Sequence, residues 1–179
     1  KEGMNSLSST LIVYTSEEAH SSTEKGAKIA GFGKDSVRLI RTDNQFKMCP
    51  EALRSAVVED ISKGRTPTCV VASMGTTGVG ATDPLKAIGK VCKEYKIFLH
   101  VDAAWAGSAL ILPEERGMAE GIEMADSIVF NPHKWLLTNF DCSAHYVKQP
   151  ELLIRTLSIL PEYLKSREQD QVIDYRDWS

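Results

Sequence analysis

Short apolar runs alternate along the chain with stretches whose apolar residues recur every three or four positions. Residues 10–14 (TLIVY) are β-branched and aromatic and predict a strand. The Thr15-x-x-Glu18 spacing behind them reads as a capping box that opens a helix to about Ala30. Residues 37–40 (VRLI) predict a second strand. Pro50 suits a first helical position, with Leu53, Val57 and Ile61 on one face and Gly64 as the stop. Residues 68–72 (TCVVA) form a continuous apolar strand, followed by the turn Gly75-Thr76-Thr77-Gly78-Val79-Gly80. Asp83 as N-cap and Pro84 just inside then predict a helix with Leu85, Ile88, Cys92 and Tyr95 on its apolar face. Residues 97–101 (IFLHV), 127–130 (SIVF) and 144–147 (AHYV) add three strands, and residues 151–157 a last helix. Residues 161–174 are polar and charged and read as a mobile loop.

Alternation of strand and helix predicts an α/β fold with a largely parallel sheet. No internal repeat, low-complexity tract or domain linker interrupts it. Ligands in such sheets bind outside the carboxyl ends of the strands. Three polar features fall there: Thr76 after TCVVA, Asp102 after IFLHV, and the stretch from Asn131 to Lys134 after SIVF.

Composition narrows the function classes. The 179 residues suffice for one domain with a real core. A net charge of −3 and the lack of a basic run give no footprint for nucleic acid or an anionic membrane surface. No apolar run is long enough to span a bilayer, and no signal peptide is visible. Cys49, Cys69, Cys92 and Cys142 are widely spaced without a C-x-x-C pair, which argues against a zinc site or a disulfide framework and for a reducing, cytoplasmic setting. The chain opens on Lys1 and closes on Asp177-Trp178-Ser179, which reads as part of a longer chain.

Lys134 stands between His133 and Trp135, after an apolar run and a Pro-made turn. Taken alone, a lysine is a surface residue. An amine becomes a nucleophile toward a carbonyl when desolvation or a neighbouring cation favours its neutral form. Asp102, at the end of an apolar strand, needs a partner. It is either a helix N-cap or the counter-ion of a bound cation, and Ala103, Ala104, Ala106 and Gly107 beside it leave space for a flat ligand. His20, in Ala19-His20-Ser21-Ser22, could stack on a planar ring or contact a carboxylate, or simply be solvated. Ser127, Asn131 and Thr76 could hold a phosphate or a ring hydroxyl, though each is also an ordinary turn former. Taken together, a carbonyl-binding lysine, a pyridinium partner, a stacking ring and phosphate donors suit pyridoxal 5'-phosphate.

The segments "YTSEEAHSS", "HVDAAWAGSA", "NPHKWLLTNFDCSA" and "PEYLKS…DYRDW" resemble the pyridoxal-phosphate-dependent group II amino-acid decarboxylases, above all the aromatic-L-amino-acid branch, over essentially the whole chain. "GTTGVGATDP" supports the match. The resemblance implies a type I pyridoxal-phosphate-dependent transferase fold. Residues 1–179 would be part of its cofactor-binding large domain, with an N-terminal segment and a small C-terminal domain missing. It implies a homodimer that acts on a small amino-acid substrate. Lys134 matches the Schiff-base lysine and Asp102 the carboxylate paired with the pyridine nitrogen. Ala104 matches the small residue under the ring, and His20 the histidine stacked over it. Thr76 matches a residue near the cofactor. Ser127, Asn131 and His133 match positions at the phosphate or its surroundings. Tyr163 matches a loop tyrosine that closes over the partner subunit's site and helps protonate the substrate carbon. Trp105 stands where many members have tyrosine, and is expected to adjust packing and not chemistry.

The implied reaction is decarboxylation of an L-amino acid, with an aromatic substrate favoured over histidine or an acidic one. A tyrosine at position 163 favours amine formation over the aldehyde synthesis that accompanies phenylalanine there in plant members. Aldehyde synthesis, transamination and a non-catalytic folding or interaction module are the competing readings.

Overall fold

The computed structural model describes residues 7–157. In chain order its regular elements are β1 (Leu11–Ser16), α1 (Ser22–Ile29), β2 (Val37–Ile40), α2 (Pro50–Ser62), β3 (Thr66–Ser73), α3 (Leu85–Tyr95), β4 (Phe98–Asp102), β5 (Ser127–Phe130), α4 (Pro132–Trp135), β6 (Ala144–Val147) and α5 (Pro150–Leu157). The six strands make one sheet in the order β2-β1-β3-β4-β5-β6. β1 pairs in parallel with β2 and β3, β3 with β4, and β4 with β5. This is the predicted α/β architecture. The chain divides into two compact units, Lys1–Tyr146 and Val147–Ser179, and α5 belongs to the second. The loop expected over residues 161–174 lies outside the described residues.

Strand alternation sorts the sheet into two faces. Register places Tyr14 beside Val70, Val70 beside Leu99, and Ala72 beside Val101. These residues are buried with Leu53 and Val57 of α2 and Leu85, Ile88, Val91 and Cys92 of α3, forming one core. On the opposite parity, Val71 pairs with His100 and His100 with Ser127, while Ser73 pairs with Asp102. One face is therefore apolar and sealed by helices, and the other carries polar side chains. TCVVA, read as a continuous apolar strand, and IFLHV are two-sided in this sense.

Three expected local details differ. The capping box is not formed: β1 runs through Thr15 and Ser16, and α1 begins six residues later than the box requires. Thr15 Oγ1 donates to the Val71 carbonyl (3.1 Å), and Ser16 Oγ accepts the Glu18 N–H (3.0 Å). Both hydroxyls serve the sheet and the turn after it.

On α2, Leu53 and Val57 are buried as predicted, but Ile61 is 47% exposed and Asp60 is 0% exposed. Asp60 is compensated by the Tyr14 hydroxyl, which donates at 2.9 Å, and by Arg38 and Arg65 at 2.8 and 3.2 Å. Burial first, then the Asp60 carboxylate, pushes the Tyr14 phenol well above its usual range.

Asp83 is not the N-cap of α3. Pro84 takes that position, and Asp83 turns inward. Its Oδ1 accepts the Met48 N–H and its Oδ2 the Ser73 N–H, both at 2.7 Å. Between β4 and β5 the chain descends through short 3-10 turns that cross the start of α3. Gly121 (φ +95°) makes this crossing possible, because a Cβ there would lie 2.3 Å from the Lys86 nitrogen.

Candidate functional site

The strand order reverses direction at β1, which has β2 on one side and β3 on the other. Such a switch point opens a crevice at the carboxyl edge of a parallel sheet. A cleft of about 190 Å³ lies there, and its lining comes from the segments that follow β1, β3, β4 and β5. His20 and Ser22 enter after β1. Ser73 ends β3, with Gly75, Thr76 and Thr77 behind it. Asp102 ends β4, followed by Ala104 and Trp105. Asn131 and Lys134 follow β5. Two larger grooves show no such convergence. One of about 390 Å³ is lined by the paired Arg38 and Glu59, and one of about 470 Å³ by the paired Lys86 and Glu120.

Each side chain is set by its element. Asp102 is half-buried, and its Oδ1 accepts the Ala104 N–H at 3.0 Å. Among the described residues its Oδ2 has no hydrogen-bond donor, so one carboxylate oxygen stays available to a ligand. His100 lies two residues earlier on the same face, with Nδ1 2.7 Å from Ser127 Oγ. Burial lowers the His100 pKa, so a neutral imidazole sits behind the Asp102 carboxylate.

Thr76 is only 3% exposed. Its Oγ1 accepts the Ala81 N–H at 3.1 Å, which closes the glycine-rich turn and leaves its hydroxyl proton to donate elsewhere. His20 Nδ1 accepts the Ser22 N–H at 3.2 Å and lies 2.8 Å from Ser22 Oγ, and Nε2 has no hydrogen-bond partner among the described residues. Asn131 Oδ1 accepts from Ser143 Oγ at 2.8 Å, and its amide N–H groups remain as donors.

Lys134 lies on α4, a single turn held by the Lys134 N–H to the Asn131 carbonyl (3.0 Å) and the Leu136 N–H to the Pro132 carbonyl (2.8 Å). The apolar neighbours in sequence do not enclose it. Lys134 and Trp135 are both exposed, and the Lys134 ammonium makes no ion pair among the described residues.

The structure thus brings Lys134, Asp102, Ala104, His20, Thr76 and Asn131 into one cleft. It does not bring Ser127 and His133 there. Ser127 begins β5, at the opposite end from Asn131, and is buried against His100. His133 Nδ1 lies 3.0 Å from the Cys142 N–H and 2.7 Å from the Cys142 carbonyl, and fastens the segment after α4 back onto it. Tyr163 lies outside the described residues.

Ser22, Ser73, Gly75 and Thr77 line the cleft without having been singled out. Their signal was position: each adjoins a residue that was, either on the glycine-rich turn, at a strand end, or beside His20. Among the described residues, no cluster of three or more His, Cys, Asp or Glu could hold a metal. No helix there is long and apolar enough to cross a membrane.

The donor set fits pyridoxal phosphate. A carboxylate oxygen without a donor among the described residues suits a protonated ring nitrogen, the Lys134 amine in its neutral form suits an aldehyde, and the small Ala104 leaves room for a flat ring.

Comparison with known proteins agrees. Tyrosine decarboxylase 4 of Petroselinum crispum is 44% identical over 182 residues, covering 99% of this chain and 36% of the relative. A phenylacetaldehyde synthase of a Rosa hybrid cultivar is 45% identical over 172 residues, covering 94% and 34%. Among solved structures, Catharanthus roseus tryptophan decarboxylase in complex with L-tryptophan superposes with a TM-score of 0.84 at 42% identity, covering 94% of this chain and 36% of that one. The chain therefore spans about a third of the length of the relatives it matches. The family described as the pyridoxal-dependent decarboxylase conserved domain matches residues 1–179, and the chain belongs to that family.

Proposed function

We propose that the protein carrying this chain is a pyridoxal-phosphate-dependent carboxy-lyase that converts an aromatic L-amino acid to its amine and carbon dioxide. The observation that carries the reading is the convergence of Lys134, Asp102 and His20 in one cleft at the carboxyl edge of the sheet. The aromatic preference is supported by the names of the relatives, among them a tyrosine decarboxylase and a tryptophan decarboxylase.

When bound, pyridoxal phosphate supplies an electron-accepting ring that stabilises the charge left at carbon as carbon dioxide departs. Lys134 would hold the cofactor through its aldehyde. Asp102 Oδ2 would accept a hydrogen bond from the ring nitrogen and favour its protonated form. His20 and the small Ala104 would give the flat ring its room, and Thr76 and Asn131 would donate to its oxygens.

Tyr163 is the residue we assign to returning a proton to the substrate carbon, in a homodimer where this loop serves the partner's site. The homodimer is supported by apolar residues left exposed on the segment after Lys134, including Leu136, Leu137 and Phe140.

A second reading is oxidative aldehyde synthesis, which the 45% identity to a phenylacetaldehyde synthase favours. One experiment separates the two. The complete gene product is supplied with pyridoxal phosphate and with tyrosine, DOPA, tryptophan, phenylalanine, histidine or glutamate. Carbon dioxide, amine, aldehyde and peroxide are then quantified. Amine in step with carbon dioxide from an aromatic substrate, lost in Lys134→Ala, is the expected result. Aldehyde with peroxide, formed at the expense of dioxygen, would replace it with the second reading.

A further inference from the structure

We propose that Trp105 is a positioning residue for Lys134 and acts through Trp135. The inference rests on the reading of Lys134 as the aldehyde-holding lysine. It starts from a weakness in the site: Lys134 is carried on a four-residue helix, too short to be stable by itself. Its ammonium is exposed and has no ion pair among the described residues. Something outside α4 must fix its direction.

On one side, His133 ties α4 to the Cys142 backbone. On the other side stands Trp105, three residues beyond Asp102. Its indole packs edge-to-face on Trp135, with ring centroids 5.2 Å apart and planes at 77°. That geometry is the one aromatic quadrupoles favour.

Trp105 is itself seated. The glycine-rich turn lies against it with no side chain at two points: a Cβ on Gly75 would come 2.9 Å from Trp105 Cε3, and one on Gly80 would come 3.7 Å from Cζ3. Both glycines have positive φ, +81° and +71°, so the turn presents bare backbone to the ring. One indole therefore touches the turn that carries Thr76, sits three residues after Asp102, and braces the helix that carries Lys134. The register among these three groups passes through Trp105. A tyrosine or phenylalanine would keep a ring edge in the gap, but an alanine would leave Trp135 without its partner.

The test reads Lys134 directly and does not depend on turnover. The complete gene product, freed of cofactor, is mixed with pyridoxal phosphate as an aldehyde probe. Samples are quenched with borohydride at intervals. The lysine amine and the aldehyde join with loss of water, and hydride from borohydride makes the product a stable secondary amine. Peptide masses give the rate of labelling at Lys134 relative to the exposed Lys90 of α3.

Trp105→Ala is expected to slow capture at Lys134 by about 3- to 10-fold, the range one edge-to-face aromatic pair supplies, with Lys90 unchanged. Trp135→Leu should slow it equally, and the double variant should be no slower than either single one. Trp105→Phe should retain most of the rate. Capture at the wild-type rate in Trp105→Ala would overturn the inference. So would a wild-type rate in Trp135→Leu, which alone decides the matter if Trp105→Ala does not fold. Multiplying defects in the double variant would overturn it too, because they would make Trp105 only a wall of the cleft. If Lys134 of the unmodified protein is not labelled at all, the reading of Lys134 itself fails, and this inference with it.

Discussion

At Asp102 the two carboxylate oxygens have different duties. Oδ1 is committed to the Ala104 N–H, and Oδ2 is left for a ligand. Asp102→Asn keeps the shape and removes the charge that would hold a ring nitrogen protonated. A charge-assisted hydrogen bond is worth about 1.5–3 kcal/mol, so the variant should bind pyridoxal phosphate about 10- to 100-fold more weakly. Equilibrium titration of the cofactor-free protein measures this. Affinity unchanged within about twofold would remove Asp102 from the site.

The sequence exposed Asp102, Thr76, Asn131 and Lys134 because each follows an apolar run, and strand ends are where α/β sheets bind ligands. Ser127 falls outside the cleft for the same physical reason. It begins its strand and does not follow it, and four residues of strand rise separate it from Asn131 by roughly 13 Å. The setting of Lys134 was not legible either. Hydrophobic neighbours along a chain enclose a residue only if the fold turns them toward it; Trp135 turns to Trp105 and Leu137 is fully exposed.

At the scale of elements, boundaries followed side-chain parity more than local motifs. Thr15 fits a capping box by spacing, but β1 continues through it, since β1 is paired on both sides as far as Thr15. A central strand outweighs one cap. Asp60 took the core position that periodicity gave to Ile61, because three partners compensate its burial, and no sequence pattern announces partners from β1 and β2.

Asp83 is the clearest case. It looks like an N-cap, yet it fastens three separate pieces: the residues before α2, the end of β3 and the approach to α3. Asp83→Ala would leave two buried N–H groups unsatisfied, at a cost on the order of 3 kcal/mol. Burial raises the Asp83 pKa, against the pull of its two backbone donors. The native state then binds its proton more tightly than the unfolded state. Its contribution to stability therefore falls as pH rises from the usual carboxylate range through the raised native value. In urea unfolding, the wild-type midpoint relative to Asp83→Asn should fall over that window at constant m-value. A difference that does not change with pH, or that rises, would contradict the assignment.

The unit Lys1–Tyr146 has two unlike sheet faces. Two helices seal the apolar face, whereas the face that carries Ser73, His100, Asp102 and Ser127 leads to the cleft. The cleft holds about 190 Å³, below the roughly 300–1,000 Å³ of pockets that enclose a small ligand. It offers a lysine, a carboxylate and an imidazole, with Ser22, Thr76, Thr77 and Asn131 as hydrogen-bond donors. Leu137 and Phe140, just beyond α4, are 101% and 83% exposed. A cleft that presents its reactive groups without enclosing them separates capture of an aldehyde from catalysis. Catalysis needs water excluded and the substrate carboxylate held in one direction. We therefore expect the isolated 179 residues to label at Lys134 with pyridoxal phosphate and borohydride, yet to bind the cofactor at least about 10-fold more weakly than the complete gene product. They should release no carbon dioxide from tyrosine, DOPA or tryptophan above the rate of a Lys134→Ala control. Absorbance titration and carbon dioxide release from both forms, side by side, make the comparison. Equal affinity and equal turnover would mean that the described cleft is sufficient. Weak binding with intact labelling would place the enclosing wall in other residues of the protein or in a second copy, and mixing the segment with a Lys134→Ala version of the complete chain would distinguish these. Recovery of turnover on mixing requires the two chains to share a site.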